Sequence, residues 1–155
     1  MQVKTTRTEQ DADCLELALD AARKSNCVRR AVGCVVVREG RVLLSGWNGV
    51  PERFKNCLEA SCPRCREDTT VGTGYERCIC RHAEQMAVGL AAKQGVELRG
   101  AIMYVTLRPC LSCLTLALEA GIRGITYREA WTYPEDLEKP YQLLAASLAF
   151  FRSGE

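Results

Sequence analysis

Residues 101–127 read AIMYVTLRPCLSCLTLALEAGIRGITY, and this stretch decides the architecture. Ala101 to Leu107 is a short apolar run rich in β-formers, which predicts a strand. Cys110 to Ala120 predicts a helix that Gly121 ends. Ile122 to Tyr127 predicts a second strand. Working outward, His82 to Lys93 predicts another helix, ended by Gly95. Ala31 to Arg38 and Arg41 to Trp47 predict two strands joined by the tight turn Glu39-Gly40. Cys14, Leu15, Ala18, Leu19 and Ala22 recur at helical spacing between Thr8 and Ser25. Residues 135–150 predict a C-terminal helix. The order α-β-β-α-β-α-β-α makes this an α/β protein with helices on both faces of a mixed sheet.

The 155 residues are the length of one domain, so residues 1–155 are read as a single unit. Hydrophobic residues make up 47% and charged residues 26%, ordinary values for a soluble globular protein. The formal charge of +2 gives little support to broad nucleic-acid binding. The N-terminus, MQVKTTRTEQD, has no apolar core of a signal peptide. No apolar stretch approaches the ~18 residues of a membrane span. Ten cysteines without a secretory signal point to thiols and metal ligands in a reducing cytoplasm rather than to disulfides.

The chain has one histidine, His82, followed by Ala83 and Glu84. After a further 24 residues comes Pro109-Cys110-Leu111-Ser112-Cys113. One imidazole and two thiolates give zinc three protein ligands, which leaves a fourth position for water. Cys110 and Cys113 are i and i+3 at a helix start, so both sulfurs face one way. The N–H groups there favour thiolates. Glu84 is the non-ligand carboxylate that can move protons. A structural zinc would fill four protein ligands, and these two motifs supply three. The combination matches the general signature of zinc deaminases.

From about Ser25 to Tyr127 the chain resembles the cytidine/deoxycytidylate deaminase superfamily, and within it the dCMP deaminases. Ser25-x-Cys27, Val32-Gly33, Gly46-Trp47-Asn48-Gly49 with Pro51, Cys57, Cys62, Cys78, His82-Ala83-Glu84, and Tyr104-Val105-Thr106 leading into Pro109-Cys110-x-x-Cys113 carry the resemblance. It implies a three-layer αβα sandwich and a zinc-dependent conversion of dCMP to dUMP with release of ammonia. It implies that Asn48 contacts the substrate sugar and that Ala83 offers backbone contacts to the pyrimidine. It also implies a homo-oligomer with dCTP and dTTP as effectors. Met86 stands where the family usually has Asn, and the chain after Arg128 matches poorly. Other readings are deamination of a free nucleoside or base, a riboflavin precursor or a tRNA adenosine, and a non-catalytic zinc-stabilised nucleotide-binding protein. On residues alone Asn48 beside Gly49 is a turn signal and Met86 is core filler. Arg29 and Arg30 could bind a 5′-phosphate or form a solvated charged surface.

The loop 49–81 holds Cys57, Cys62, Cys65, Cys78 and Cys80. It lacks the periodic apolar residues that would order it by burial, and a structural zinc could supply that free energy. Cys62-x-x-Cys65 has zinc-knuckle spacing. The resemblance points instead to Cys27, Cys57, Cys62 and Cys78, with Cys65 an alternate to Cys27. Cys14 and Cys34 read as buried apolar cysteines.

Overall fold

The computed structural model describes residues 7–67 and 73–154, without the side chains of residues 7 and 8. The first six residues of the polar N-terminus and residues 68–72 of the cysteine-rich loop lie outside the described residues. Helix α1 spans Arg7–Ala22, strand β1 Gly33–Arg38 and strand β2 Arg41–Trp47. A short helix α2, Pro63–Arg66, and a 3-10 turn, Tyr75–Arg77, interrupt the long loop. Then follow α3 Ala83–Gln94, β3 Ile102–Leu107, α4 Leu111–Glu119, β4 Gly124–Glu129, α5 Glu135–Ala145 and β5 Phe150–Ser153.

The strands order as β2-β1-β3-β4-β5. β1 is antiparallel to both β2 and β3, whereas β3, β4 and β5 run parallel. The sheet is mixed because a hairpin joins β1 to β2, while helices α4 and α5 connect the parallel strands.

Side-chain alternation along the strands divides the interior. Val35 and Val37 of β1 and Tyr104 of β3 pack on Cys14, Leu15 and Ala18 of α1. Cys34, Val36, Met103 and Val105 point the other way, onto Ala87 of α3, Leu114 and Ala117 of α4, and Tyr141 of α5. The result is three layers, with α1 on one face and α3, α4 and α5 on the other. Cys14 and Cys34 are both buried, one in each interior.

The C-terminus differs from the sequence reading. The helix expected over 135–150 stops at Ala145, and Phe150–Ser153 form a fifth strand beside β4. The Phe150 ring lies over Gly124, where an added Cβ would sit 2.4 Å from it. That site has room for the ring only because residue 124 has no side chain. Phe150-Phe151-Arg152-Ser153 does not alternate apolar with polar residues, so the strand is not visible in the sequence alone.

Candidate zinc site

Two helix starts converge. His82 caps α3 with extended backbone, and its N–H donates to Gln85 Oε1 at 2.7 Å. Cys110 caps α4 in the same way, and its carbonyl accepts the Leu114 N–H at 2.9 Å. Gly46 of β2 lets α3 approach the sheet: a Cβ there would lie 2.2 Å from the Ala83 carbonyl oxygen. This close approach seats the α3 start against the sheet.

His82 Nδ1 lies 3.4 Å from Cys110 Sγ and 3.3 Å from Cys113 Sγ. The ligand atoms of the three residues all fall within 4.8 Å of one another. Tetrahedral zinc with ordinary bond lengths separates such N and S donors by about 3.5 Å. The donor set and the spacing therefore fit zinc. Hydrogen bonding with Cys113, then with His82, holds the Cys110 thiol down to about 4. The same contact with Cys110 pushes the Cys113 thiol upward, so the pair keeps one proton that a cation would displace.

Glu84 lies one residue inside α3 and is only 4% exposed. Burial pushes its carboxyl up to about 7. The structure thus brings His82, Glu84, Cys110 and Cys113 together. Ala83 is fully buried in the same turn, its carbonyl facing Gly46. Asn48 is buried, and its amide bridges the segment before β1. Its Oδ1 accepts the Val32 N–H at 2.8 Å, and its Nδ2 donates to Arg30 O at 2.7 Å. Met86 is more than filler: its sulfur accepts from Trp47 N–H at 3.4 Å and lies 3.5 Å from Arg81 Nη2. Arg30 pairs with Glu129, and Arg29 donates to the carbonyls of Arg64 and Glu67 at 2.9 and 3.4 Å.

The sequence reading missed the residues that brace Pro109-Cys110. Arg108, 3% exposed, pairs with Glu138 and stacks on the Tyr141 ring at 4.0 Å. Tyr141 donates to the Pro109 carbonyl at 2.6 Å, and the Leu111 N–H donates to Tyr133 Oη at 2.8 Å. Arg108 stands beside the motif in sequence, but Glu138 and Tyr141 lie 30 and 33 residues downstream, in a segment without a recognisable motif.

The cysteine-rich segment forms a second thiol cluster. Cys27, Cys57 and Cys65 bring their sulfurs within 4.8 Å of one another, with Cys57 and Cys65 3.5 Å apart. Cys62 and Cys78, expected as ligands beside Cys57, are not in that triad. Both pack in the same cluster around it, with Cys62 fully buried. The short helix α2 brings Cys65, the alternate ligand of the sequence reading, next to Cys57.

Comparison with known proteins agrees with this geometry. Residues 8–129 match the cytidine and deoxycytidylate deaminase zinc-binding region. A deoxycytidylate deaminase of Schizosaccharomyces pombe is 38% identical over 125 residues, covering 81% of this chain and 38% of that protein. One from Saccharomyces cerevisiae is 36% identical, covering 84% of this chain and 41% of that protein. This chain thus spans about two fifths of the length of those two relatives. One from Mycobacterium phage D29 is 35% identical over 79% of this chain and 96% of its own length. The crystal structure of a cyanophage S-TIM5 dCMP deaminase in complex with dCMP and dUMP has the same fold. Its TM-score is 0.69 at 24% identity, over 96% of this chain and 99% of that one. No helix among the described residues is long and apolar enough to cross a membrane.

Proposed function

Since the chain belongs to the cytidine and deoxycytidylate deaminase family, we propose that it hydrolyses dCMP to dUMP and ammonia. The observation that carries this reading is the buried carboxylate of Glu84 beside the His82, Cys110 and Cys113 triad. His82, Cys110 and Cys113 would hold the zinc, which would supply Lewis acidity and a water nucleophile competent near neutral pH. Glu84 accepts a proton from the attacking water and returns it to the pyrimidine ring nitrogen. A second transfer to the exocyclic amine lets it depart as ammonia, so water enters and ammonia leaves in equal number. Burial of Glu84 excludes bulk water from that relay.

Asn48 and Ala83 are the substrate contacts in this reading. Asn48 Oδ1 and one amide hydrogen are engaged with backbone, which fixes the side chain and leaves the second amide hydrogen for a sugar hydroxyl. The single sheet shared by the described residues supports reading 1–155 as one deaminase domain. A second, structural zinc is supported by the Cys27, Cys57 and Cys65 triad, with Cys62 of the same packed cluster as the fourth ligand. Self-association, response to dCTP and dTTP, and a cytoplasmic location follow from the family resemblance.

A panel of dCMP, CMP, deoxycytidine, cytosine and adenosine-bearing tRNA, resolved by mass, tests the substrate. The expected product is dUMP. Turnover of another member with dCMP untouched would replace this reading.

A further inference from the structure

Two asparagine side chains tie the turn after β2 to the irregular segment between α1 and β1. β2 ends at Trp47, so Asn48, Gly49 and Val50 lie beyond the strand. Asn26 reaches this turn from the other segment. Its Oδ1 accepts the Val50 N–H at 2.8 Å, and its Nδ2 donates to the Val50 carbonyl at 3.0 Å. The carboxamide thus pairs with both main-chain groups of one residue, as a neighbouring strand would. Nδ2 also lies 3.4 Å from the Phe54 carbonyl, and the Asn26 carbonyl accepts the Cys57 N–H at 3.2 Å. Asn48 makes the reverse connection, from the turn back to Arg30 and Val32.

Gly49 makes room for this clasp. Its φ is +142°, a conformation that side chains disfavour, and an added Cβ would lie 2.0 Å from Asn26 Oδ1. The Asn26 carboxamide occupies the space that any other residue at 49 would need. On its other side Gly49 pairs with Arg81 through two main-chain bonds of 3.1 and 2.9 Å. Arg81 Nη1 adds a bond of 3.3 Å to the Gly49 carbonyl. Arg81 directly precedes His82, so the side of the turn next to the metal ligands is held without Asn26.

We propose that Asn26 is a positioning residue that acts on the substrate through Asn48. The proposal rests on the dCMP reading of the preceding subsection, in which Asn48 contacts the sugar. Asn26 and Asn48 join the same two segments at two points. With both clasps closed, the turn cannot slide along residues 26–32, and the second amide hydrogen of Asn48 keeps its direction. With the Val50 clasp open, the turn swings about the Asn48 anchor alone. A sugar contact is made in the ground state and in the transition state, so its loss weakens both alike. KM carries that loss, while kcat and zinc content do not.

The test is steady-state deamination of dCMP by the full zinc-loaded protein, for the wild type, Asn26→Ala, Asn48→Ala and the double variant. Zinc per chain and urea unfolding are measured on each. Asn26→Ala should raise KM about tenfold at a kcat within about twofold of the wild type, with zinc unchanged. In the Asn48→Ala background the same substitution should leave KM where it was, because its route to the substrate is gone. Asn26→Ser, whose hydroxyl can serve one of the two Val50 groups, should give an intermediate KM and carries the test where the alanine variant does not fold. A folded Asn26 variant with wild-type KM would overturn the proposal alone, because a merely structural residue lowers stability without moving KM. Loss of kcat or of zinc at unchanged KM would overturn it too, as would a KM increase repeated in full in the Asn48→Ala background. A zinc-loaded wild type that leaves dCMP untouched would overturn the dCMP reading and the proposal together.

Discussion

Arg108 and Glu138 form a two-point ion pair directly behind the Pro109-Cys110 turn. Arg108 Nη2 lies 2.6 Å from Glu138 Oε1, and Arg108 Nη1 lies 3.1 Å from Oε2. Glu138 also accepts the Tyr133 N–H at 2.9 Å and Gln142 Nε2 at 2.7 Å. The guanidinium is almost wholly enclosed, so its charge depends on this one carboxylate. Residues after β4, outside the segment that matches the family, thus hold the turn that presents Cys110 and Cys113.

Replacing Glu138 leaves a buried cation with a neutral partner. Glu138→Gln should destabilise the fold by about 2–4 kcal/mol. Urea unfolding measures it. A change below half a kcal/mol would show that the pair does not brace the turn.

The same pair gives a pH signature. Arg108 first, then the bonds from Gln142 and Tyr133, hold the Glu138 carboxyl down to about 2. A depressed folded pKa contributes stability that is complete above the ordinary value of about 4.3. It is lost as pH falls from there toward 2. The wild type should therefore lose more stability than Glu138→Gln between pH 5 and about 2. Parallel urea midpoints for the two proteins across that range would contradict this.

Gly46 is a packing prediction for the zinc site. The Cβ of Gly46→Ala would lie 2.2 Å from the backbone oxygen of Ala83, with no flexible side chain to yield. The start of α3 must shift, at a cost of about 1–3 kcal/mol. Because His82 and Glu84 flank Ala83, kcat should fall by more than the loss of folded protein explains. Activity normalised to folded protein, with zinc content, separates the two effects.

His82→Ala should remove one metal and all turnover while the fold and the cysteine-cluster metal remain. Circular dichroism together with zinc per chain tests it. Loss of every metal ion would show that the two sites are not independent.

Much of this arrangement is legible in the sequence because it is local. Gly95, Gly121 and the Pro109-Cys110 pair mark the helices that carry the metal ligands, and valine-rich β1 declares itself by composition. What escapes is long-range. Phe150 finds β4 only because Gly124 has no side chain, and no periodicity within four residues announces that. Glu138 is one acidic residue among several in the first turn of α5 until the fold places Arg108 beside it. Likewise, the spacing of cysteines in the loop suggests ligands, but the grouping of Cys65 with Cys27 and Cys57 depends on how α2 folds back.

The most direct test is stopped-time conversion of dCMP by the zinc-loaded protein, with dUMP and ammonia quantified together, for the wild type and Glu84→Gln. The expected result is equimolar dUMP and ammonia from the wild type. Glu84→Gln should keep its zinc and fold but lose at least ~100-fold in kcat, the lower range for removing a positioned proton carrier. Wild-type protein that holds zinc yet yields no dUMP with dCTP present, or a Glu84→Gln protein that turns over dCMP normally, would contradict it.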